Sequence, residues 1–106
     1  MAISFTNAIA NAVGTTDVIV FTAPSKSIVV GGSVTNILSS TVPMSIKVRR
    51  GVTDTHVHKD KRIEVGVAYE LMSGNKLVLA SGDKIIVSSQ VASSIDVVFS
   101  IMQGVS

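Results

Sequence analysis

Alternation of apolar and polar residues with a period of two constrains this chain more than any other feature. It is clearest over residues 44–49, where Met, Ile and Val alternate with Ser, Lys and Arg. This pattern predicts a strand with one buried face and one solvated face. A sustained period of 3.6 residues, which would indicate an amphipathic helix, does not occur in the sequence. We therefore expect strands along the whole chain.

Turn-forming residues divide the alternating sequence into about nine short strands. Gly51 is predicted to end one strand, while Ser73-Gly74-Asn75 and Gly82-Asp83 are each predicted to close a hairpin. Gly31-Gly32 indicates a bulge or a bend. Residues 8–13 have some helical propensity but are predicted to be extended. Strands spaced by about 8–12 residues predict an all-β fold, a single antiparallel β-sandwich that is jelly-roll-like.

Length and composition agree with one β domain spanning residues 1–106. Val, Ile and Thr account for 37 of the 106 residues, which is typical of sheets. Charged residues make up only 15% of the chain, and the mean hydropathy is +0.53. We therefore expect other protein surfaces to cover part of this one. The uncharged run 27–46 contains Gly, Ser, Thr and Pro, so no membrane-spanning helix and no membrane partner are expected.

Residues typical of enzyme active sites are few and do not form a recognisable motif. The chain has no Cys, which excludes a disulfide scaffold and a thiol nucleophile. No Ser stands in a Gly-x-Ser-x-Gly motif. The two glutamates, Glu64 and Glu70, are expected on solvated strand faces. The sequence predicts no enzyme, no catalytic residue and no cofactor.

One group of residues could bind a metal ion. Asp54, His56 and His58 alternate along a predicted strand, so their side chains are expected on one face. Two imidazoles and a carboxylate could chelate zinc or another transition metal. The alternative is a solvated strand or loop edge with no metal. The sequence favours this alternative, because it shows no further ligand.

Six of the nine cationic residues lie within sixteen positions. They are Lys47, Arg49, Arg50, Lys59, Lys61 and Arg62. One interpretation is a solvated face, with Lys47 and Arg49 outward on a strand and the last three in a loop. The other is a partner-binding surface for an acidic protein. The absence of aromatic residues near the cluster argues against nucleic acid as the partner.

Three segments resemble a known group of proteins. They are residues 21–29 (FTAPSKSIV), residues 77–87 (LVLASGDKIIV) and residues 91–100 (VASSIDVVFS). In order and spacing they resemble small virion structural proteins of tailed bacteriophages. Those proteins have a Val-Pro-Ala-Gly-Lys-like turn, a Gly-Asp hairpin and a closing strand rich in Asp-Val. Here Ala23-Pro24-Ser25-Lys26 departs from the first turn.

The resemblance implies a structural protein located in the virion, assembled in the host cytoplasm. We expect a capsid decoration (cement) protein that binds the major capsid protein or another virion subunit and stabilises the shell. A neck, tail or head-fibre subunit is the alternative within this class, and a carbohydrate- or ligand-binding β-sandwich is the alternative outside it. The low charge predicts a homo-oligomer. A trimer would match the threefold positions of an icosahedral shell.

Overall fold

The alternating segments form strands in the computed structural model, which describes residues 4–65, 68–71 and 76–104. Within these residues there are nine strands and no helix. The strands are β1 (Ser4–Val13), β2 (Val18–Thr22), β3 (Ser27–Asn36), β4 (Val42–Arg50), β5 (Thr53–Ile63), β6 (Ala68–Glu70), β7 (Leu77–Leu79), β8 (Lys84–Ser89) and β9 (Ile95–Gln103). Residues 8–13 lie in β1, as predicted.

The strands form two antiparallel sheets that pack face to face. Sheet I has the order β1-β9-β3-β6, and β7 also pairs with β3. Sheet II has the order β2-β8-β4-β5. The long strand β3 pairs with β7 through its first residues and with β6 further on, so β6 and β7 share one edge of sheet I. This strand order is that of a jelly roll, and the predicted fold class is confirmed.

The core lies between the two sheets and is built from alternate residues of each strand. Sheet I contributes Val29, Val34 and Phe99, and sheet II contributes Met44 and Ile85, all at most 1% exposed. A bulge at Val30 shifts the β3 register just before Gly31-Gly32, where the sequence predicted a bulge or bend. The Phe99 ring packs directly on the Gly32 backbone. A Cβ atom on Gly32 would lie 2.7 Å from Phe99 Cδ1.

The predicted turns differ in what they connect. Gly51, with a positive φ of 65°, begins the two-residue turn between β4 and β5. The predicted hairpin at Gly82-Asp83 is wrong, because β7 belongs to sheet I and β8 to sheet II. The turn passes between the sheets, and the Asp83 carboxylate accepts a hydrogen bond from Ala80 N across it. The turn predicted at Ser73-Gly74-Asn75 lies outside the described residues.

The buried side chain of Asn36, the last residue of β3, holds the C-terminal end of β5 in place. It is 3% exposed, and its Nδ2 donates to Ile63 O at 2.9 Å and to Ser40 O at 2.7 Å. Its Oδ1 accepts a hydrogen bond from Leu38 N. Because a buried amide without partners would be costly, these bonds hold the end of β5 against β3.

Candidate functional site

Strand β5 holds most of the predicted site residues, and two irregularities in its pairing decide where they face. Ile46 and Lys47 are consecutive on β4, yet their partners are His58 and His56. One extra residue, Val57, is therefore accommodated in β5. A second shift lies between the Met44–Lys61 pair and the Ile46–His58 pair. Bulges of this kind turn the following side chains to the opposite face of the sheet.

The first bulge separates the predicted metal ligands. Asp54 and His56 pair with Arg49 and Lys47 on the outer face of sheet II, whereas His58 pairs with the buried Ile46. Since paired residues project from the same side of a sheet, His58 lies on the other face. The expectation that all three share one face is wrong. No group of three His, Asp or Glu side chains close enough to hold a metal ion occurs among the described residues.

His58 instead helps to close one end of the gap between the sheet edges. Its Nε2 lies 2.7 Å from Leu71 O, and its ring meets the Tyr69 ring edge-on at 5.9 Å. Lys61 Nζ, on β5 of sheet II, lies 4.6 Å from the centre of the same Tyr69 ring, which belongs to β6 of sheet I. These contacts join β5 to β6. Lys59, Lys61 and Arg62 were predicted in a loop, and this placement is wrong because all three lie in β5.

Two of the cationic residues are neutralised on the outer face of sheet II. Arg49 donates from Nε to Asp54 Oδ1 at 2.7 Å and from a terminal nitrogen to Oδ2 at 3.0 Å. Lys47 Nζ lies 2.9 Å from Asp17 and 3.4 Å from Asp54. The hydrogen bonds from Arg49, reinforced by Lys47, lower the pKa of Asp54 to about 2. These four residues form a network of alternating charge, called here the sheet II ion-pair network.

Lys47 also covers an apolar residue. It lies on β4, whereas Asp17 immediately precedes β2, and β8 runs between those two strands. The Lys47 side chain therefore crosses β8 at its register partner, Ile86. Ile86 projects outward, away from the core cluster, and is nevertheless only 1% exposed. Long cationic side chains commonly cover apolar surface with their methylene groups.

Arg50 has a different partner at the tip of the β4–β5 hairpin. Its Nε and a terminal nitrogen lie 3.0 Å and 2.7 Å from Asp83 Oδ2. The Asp83 side chain is 3% exposed, and the hydrogen bonds from Arg50 lower its pKa although burial opposes this. The hairpin tip is thereby tied to the turn between β7 and β8.

The six predicted partner-binding residues thus do not share one environment. Lys47 and Arg49 lie in the sheet II ion-pair network, Arg50 is bound to Asp83, and Lys61 contacts Tyr69. Lys59 and Arg62 are exposed on β5. Their role in binding an acidic partner stays a prediction.

An open groove lies between the β4–β5 hairpin and β7, where the two sheet edges diverge. Its volume is about 400 Å³. We call it the edge groove, and its lining residues are Val48, Arg50, Thr53, Thr55, Val57, Leu77 and Val78. Four of these are aliphatic, and the one charge, on Arg50, is already paired with Asp83. The groove can therefore accept an apolar group.

The outer face of sheet I contrasts with that of sheet II. The strands β1, β3 and β9 contain a single charged residue, Asp96, which accepts a hydrogen bond from Ala12 N. A row of apolar side chains crosses the sheet in register through Phe5, Met102, Ile28 and Val78. Phe5 is 76% exposed and Val78 is 53% exposed.

A second apolar pair lies further along the same face. Ile9 and Val98 face each other in register and are 59% and 37% exposed. We call this surface, with the Phe5 row, the sheet I outer face. The sequence contained a signal for it, since the outward positions of β1 and β9 include four large apolar residues and only one charge. The apolar residues are Phe5, Ile9, Val98 and Met102, and the charged residue is Asp96.

The chain is similar in structure to a Bacillus endospore appendage protein, described as one of "a novel family of disulfide-linked pili". The TM-score is 0.59 and the sequence identity is 14%, over 99% of this chain and 88% of that chain. At this identity the likeness shows the fold. No protein-family model matches the chain, and neither does any curated protein. No helix suited to crossing a membrane occurs in the part of the chain described by the structure.

This finding corrects the predicted function. The sequence predicted a capsid decoration protein, with a neck, tail or head-fibre subunit or a carbohydrate- or ligand-binding β-sandwich as alternatives. The structural match is instead to a bacterial pilus protein, so the predicted phage function is wrong. The quoted motifs are a Gly-Asp turn and Val-rich strands, which any jelly roll can use. They identified the fold and not the particle.

Proposed function

We propose that the protein is a structural subunit that assembles non-covalently with copies of itself into a polymer of the appendage type. The observation that carries this proposal is the sheet I outer face, with Phe5, Ile9, Val78 and Val98 exposed on nearly uncharged strands. Such apolar patches on small domains are typical of protein–protein contacts.

A second copy is the partner that suits this face best. The chain carries a net charge of +2, so two copies repel each other through their basic surfaces. The sheet I outer face carries two carboxylates with hydrogen-bond donors: Asp96 accepts from Ala12 N, and Glu70 of the edge strand β6 accepts from Gly32 N. A neighbouring copy can therefore cover this face without burying a carboxylate that has no hydrogen-bond donor, which would be costly.

The area of the face is large enough for a specific contact. The strands β1, β3 and β9 are 10, 10 and 9 residues long. The fourth strand position is shared by β6 and β7, of three residues each, so the face measures roughly 20 Å by 33 Å, or about 600 Å² for each copy. When a different surface of a neighbouring copy covers this face, the contact buries about 1,200 Å² in total, at the lower end of stable interfaces.

The chemistry of assembly must differ from that of the similar pilus protein. That protein belongs to a disulfide-linked family, whereas this chain has no Cys. A polymer of this chain would be held by apolar burial and hydrogen bonds. Its stability would depend on protein concentration, because no covalent bond links the copies.

Sedimentation velocity over a range of concentrations tests the proposal, with electron microscopy of the largest species. We expect a wild-type assembly that grows with concentration. Ile9→Lys should weaken it at least tenfold, because the charge must be buried on association. Ile19→Lys is the matched control, since Ile19 is 51% exposed on β2, an edge strand of sheet II.

Four outcomes are informative. Growth beyond a fixed size supports the polymer, whereas a closed trimer, as expected from the sequence, contradicts the polymer. A wild-type protein that stays monomeric at the highest concentration overturns the proposal. Equal weakening by both Lys variants would show that the sheet I outer face has no special role.

A further inference from the structure

We propose that Phe5 of one copy inserts into the edge groove of a neighbouring copy, an inference that rests on the proposed self-assembly. Phe5 is the most exposed aromatic residue of the chain, with 76% of its surface accessible. The other three aromatic residues, Phe21, Tyr69 and Phe99, are also described, and each is at least partly buried. Phe5 is therefore the aromatic group that the fold leaves for a partner.

The edge groove has the size and the chemistry to receive a phenyl ring. Its volume is about 400 Å³, and Val48, Val57, Leu77 and Val78 give it aliphatic walls. An apolar cavity of about 150 Å³ already accommodates a benzene molecule. The groove can thus hold the Phe5 ring together with part of the strand that carries it.

Arg50 adds a specific contact for an aromatic ring. Its guanidinium is held by Asp83, with Nε and a terminal nitrogen 3.0 Å and 2.7 Å from Oδ2. The guanidinium plane is therefore fixed before any partner arrives, and such planes stack on aromatic rings. Because Asp83 already balances the charge, docking of a ring leaves no unpaired cation.

The two features lie on opposite edges of sheet I. Phe5 is on the edge strand β1, and the groove borders β7, with β9 and β3 between them. Three strand spacings separate the edges, or about 14 Å. A neighbour placed beside β7 can therefore present its own β1 edge, and Phe5, to the groove.

This arrangement makes the contact heterologous. Each copy offers one ring and one groove, and these are different surfaces of the molecule. After docking, the copy that supplied the groove still has a free Phe5 ring, and the copy that supplied the ring still has a free groove. Contacts of this type continue into open filaments unless the rotation closes a ring of subunits.

Complementation between two variants tests the inference. Phe5→Ser removes the ring but keeps the groove. Val57→Glu places a carboxylate in the groove, where the negative face of the ring is disfavoured, but keeps the ring. Val57 is 36% exposed in a bulge, so the fold should tolerate the change. Ile19→Ser is the matched control for loss of an exposed apolar side chain, and circular dichroism confirms that each variant is folded.

We expect each variant alone to associate at least tenfold more weakly than wild type, and Ile19→Ser to behave as wild type. An equimolar mixture should form a one-to-one dimer that does not grow, because Val57→Glu supplies the ring and Phe5→Ser the groove. A mixture no better than its components overturns the inference. In that case, continued wild-type assembly that Ile9→Lys weakens still supports the proposed function. A monomeric wild type would overturn both.

Discussion

The outer faces of the two sheets differ in how far their apolar side chains are covered. Both carry apolar residues at positions that point away from the core. In sheet II, Ile86 is 1% exposed, and the side chain of its register partner Lys47 extends across β8 to Asp17. In sheet I, Ile9 is 59% exposed, and the one charged residue of the neighbouring long strands, Asp96, is held at Ala12 N instead of covering it.

This difference indicates which face the chain completes by itself. The strands β4 and β5 contain three and five charged residues, whereas β1, β3 and β9 together contain one. Long charged side chains pair with each other and shield apolar atoms, so Ile86 is covered within one copy, although Ile19 on the edge strand β2 stays exposed. The apolar residues Phe5 and Ile9 of the sheet I outer face stay exposed in the single copy.

The largest expected difference in folding free energy comes from shortening one isoleucine on each outer face. Ile86→Ala should cost about 2–4 kcal/mol of folding free energy, because it leaves a cavity under Lys47. Ile9→Ala should change the folding free energy of the monomer by less than about 0.5 kcal/mol, because Ile9 is exposed. Urea denaturation at low protein concentration measures both. Equal effects would show that Ile86 is not covered.

Substitutions at two adjacent glycines of β3 test the packing on the inner and the outer side of sheet I. Gly32→Ala should destabilise the fold by about 1–3 kcal/mol, because its Cβ would meet the Phe99 ring at 2.7 Å. A Cβ on Gly31 meets no atom within 4 Å. Gly31→Ala should therefore be neutral, or stabilising by up to about 1 kcal/mol through the unfolded state. Thermal unfolding measures the stability of the two variants. A larger loss of stability for Gly31→Ala than for Gly32→Ala would contradict this packing.

Salt should act oppositely on the two faces. Sulfate strengthens apolar burial, so self-association through the sheet I outer face should tighten a few-fold when ammonium sulfate is raised. The exposed ion pairs of sheet II should weaken, because salt screens them. Sedimentation equilibrium at two sulfate concentrations measures the first effect. Association that weakens steadily with salt would point instead to Lys59, Arg62 and the other cations as the contact.

The smallest expected effect is a loss of stability in acid from the sheet II ion-pair network. The pKa of Asp54 falls from 3.8 to about 2 in the folded protein. A carboxyl group with a lowered pKa stabilises the fold above its unfolded pKa, and this stabilisation disappears as the pH falls towards 2. Asp54→Asn should show a smaller loss of Tm between pH 5 and pH 2 than wild type. Identical pH profiles would show that the network does not contribute.

Much of the fold could be predicted from the sequence because it follows from local pattern. The period of two placed strands where β3, β4, β8 and β9 lie, and the positive φ of Gly51 matches its predicted turn. Residues 8–13 formed a strand despite their helical propensity, because β9 pairs with them. The jelly-roll expectation followed from many short strands separated by turns.

The candidate site was less predictable, because it depends on pairing between distant residues. The extra residue at Val57 exists only relative to β4, so no local pattern showed that His58 would face Tyr69 rather than His56. The pairing of Arg50 with Asp83 joins residues 33 positions apart. A count of cations in the sequence could not show that these charges already have partners.

By itself, the sequence determined that the chain forms strands, that it makes one sandwich, and that it lacks cysteine for covalent links. Alternation and turn residues act locally, so they need no knowledge of neighbours. Only the tertiary structure decided which apolar residues are covered, since Ile86 and Ile9 look alike in sequence. Burial depends on what crosses above a residue, and Lys47 crosses β8 only because the strand order places β8 between β4 and β2.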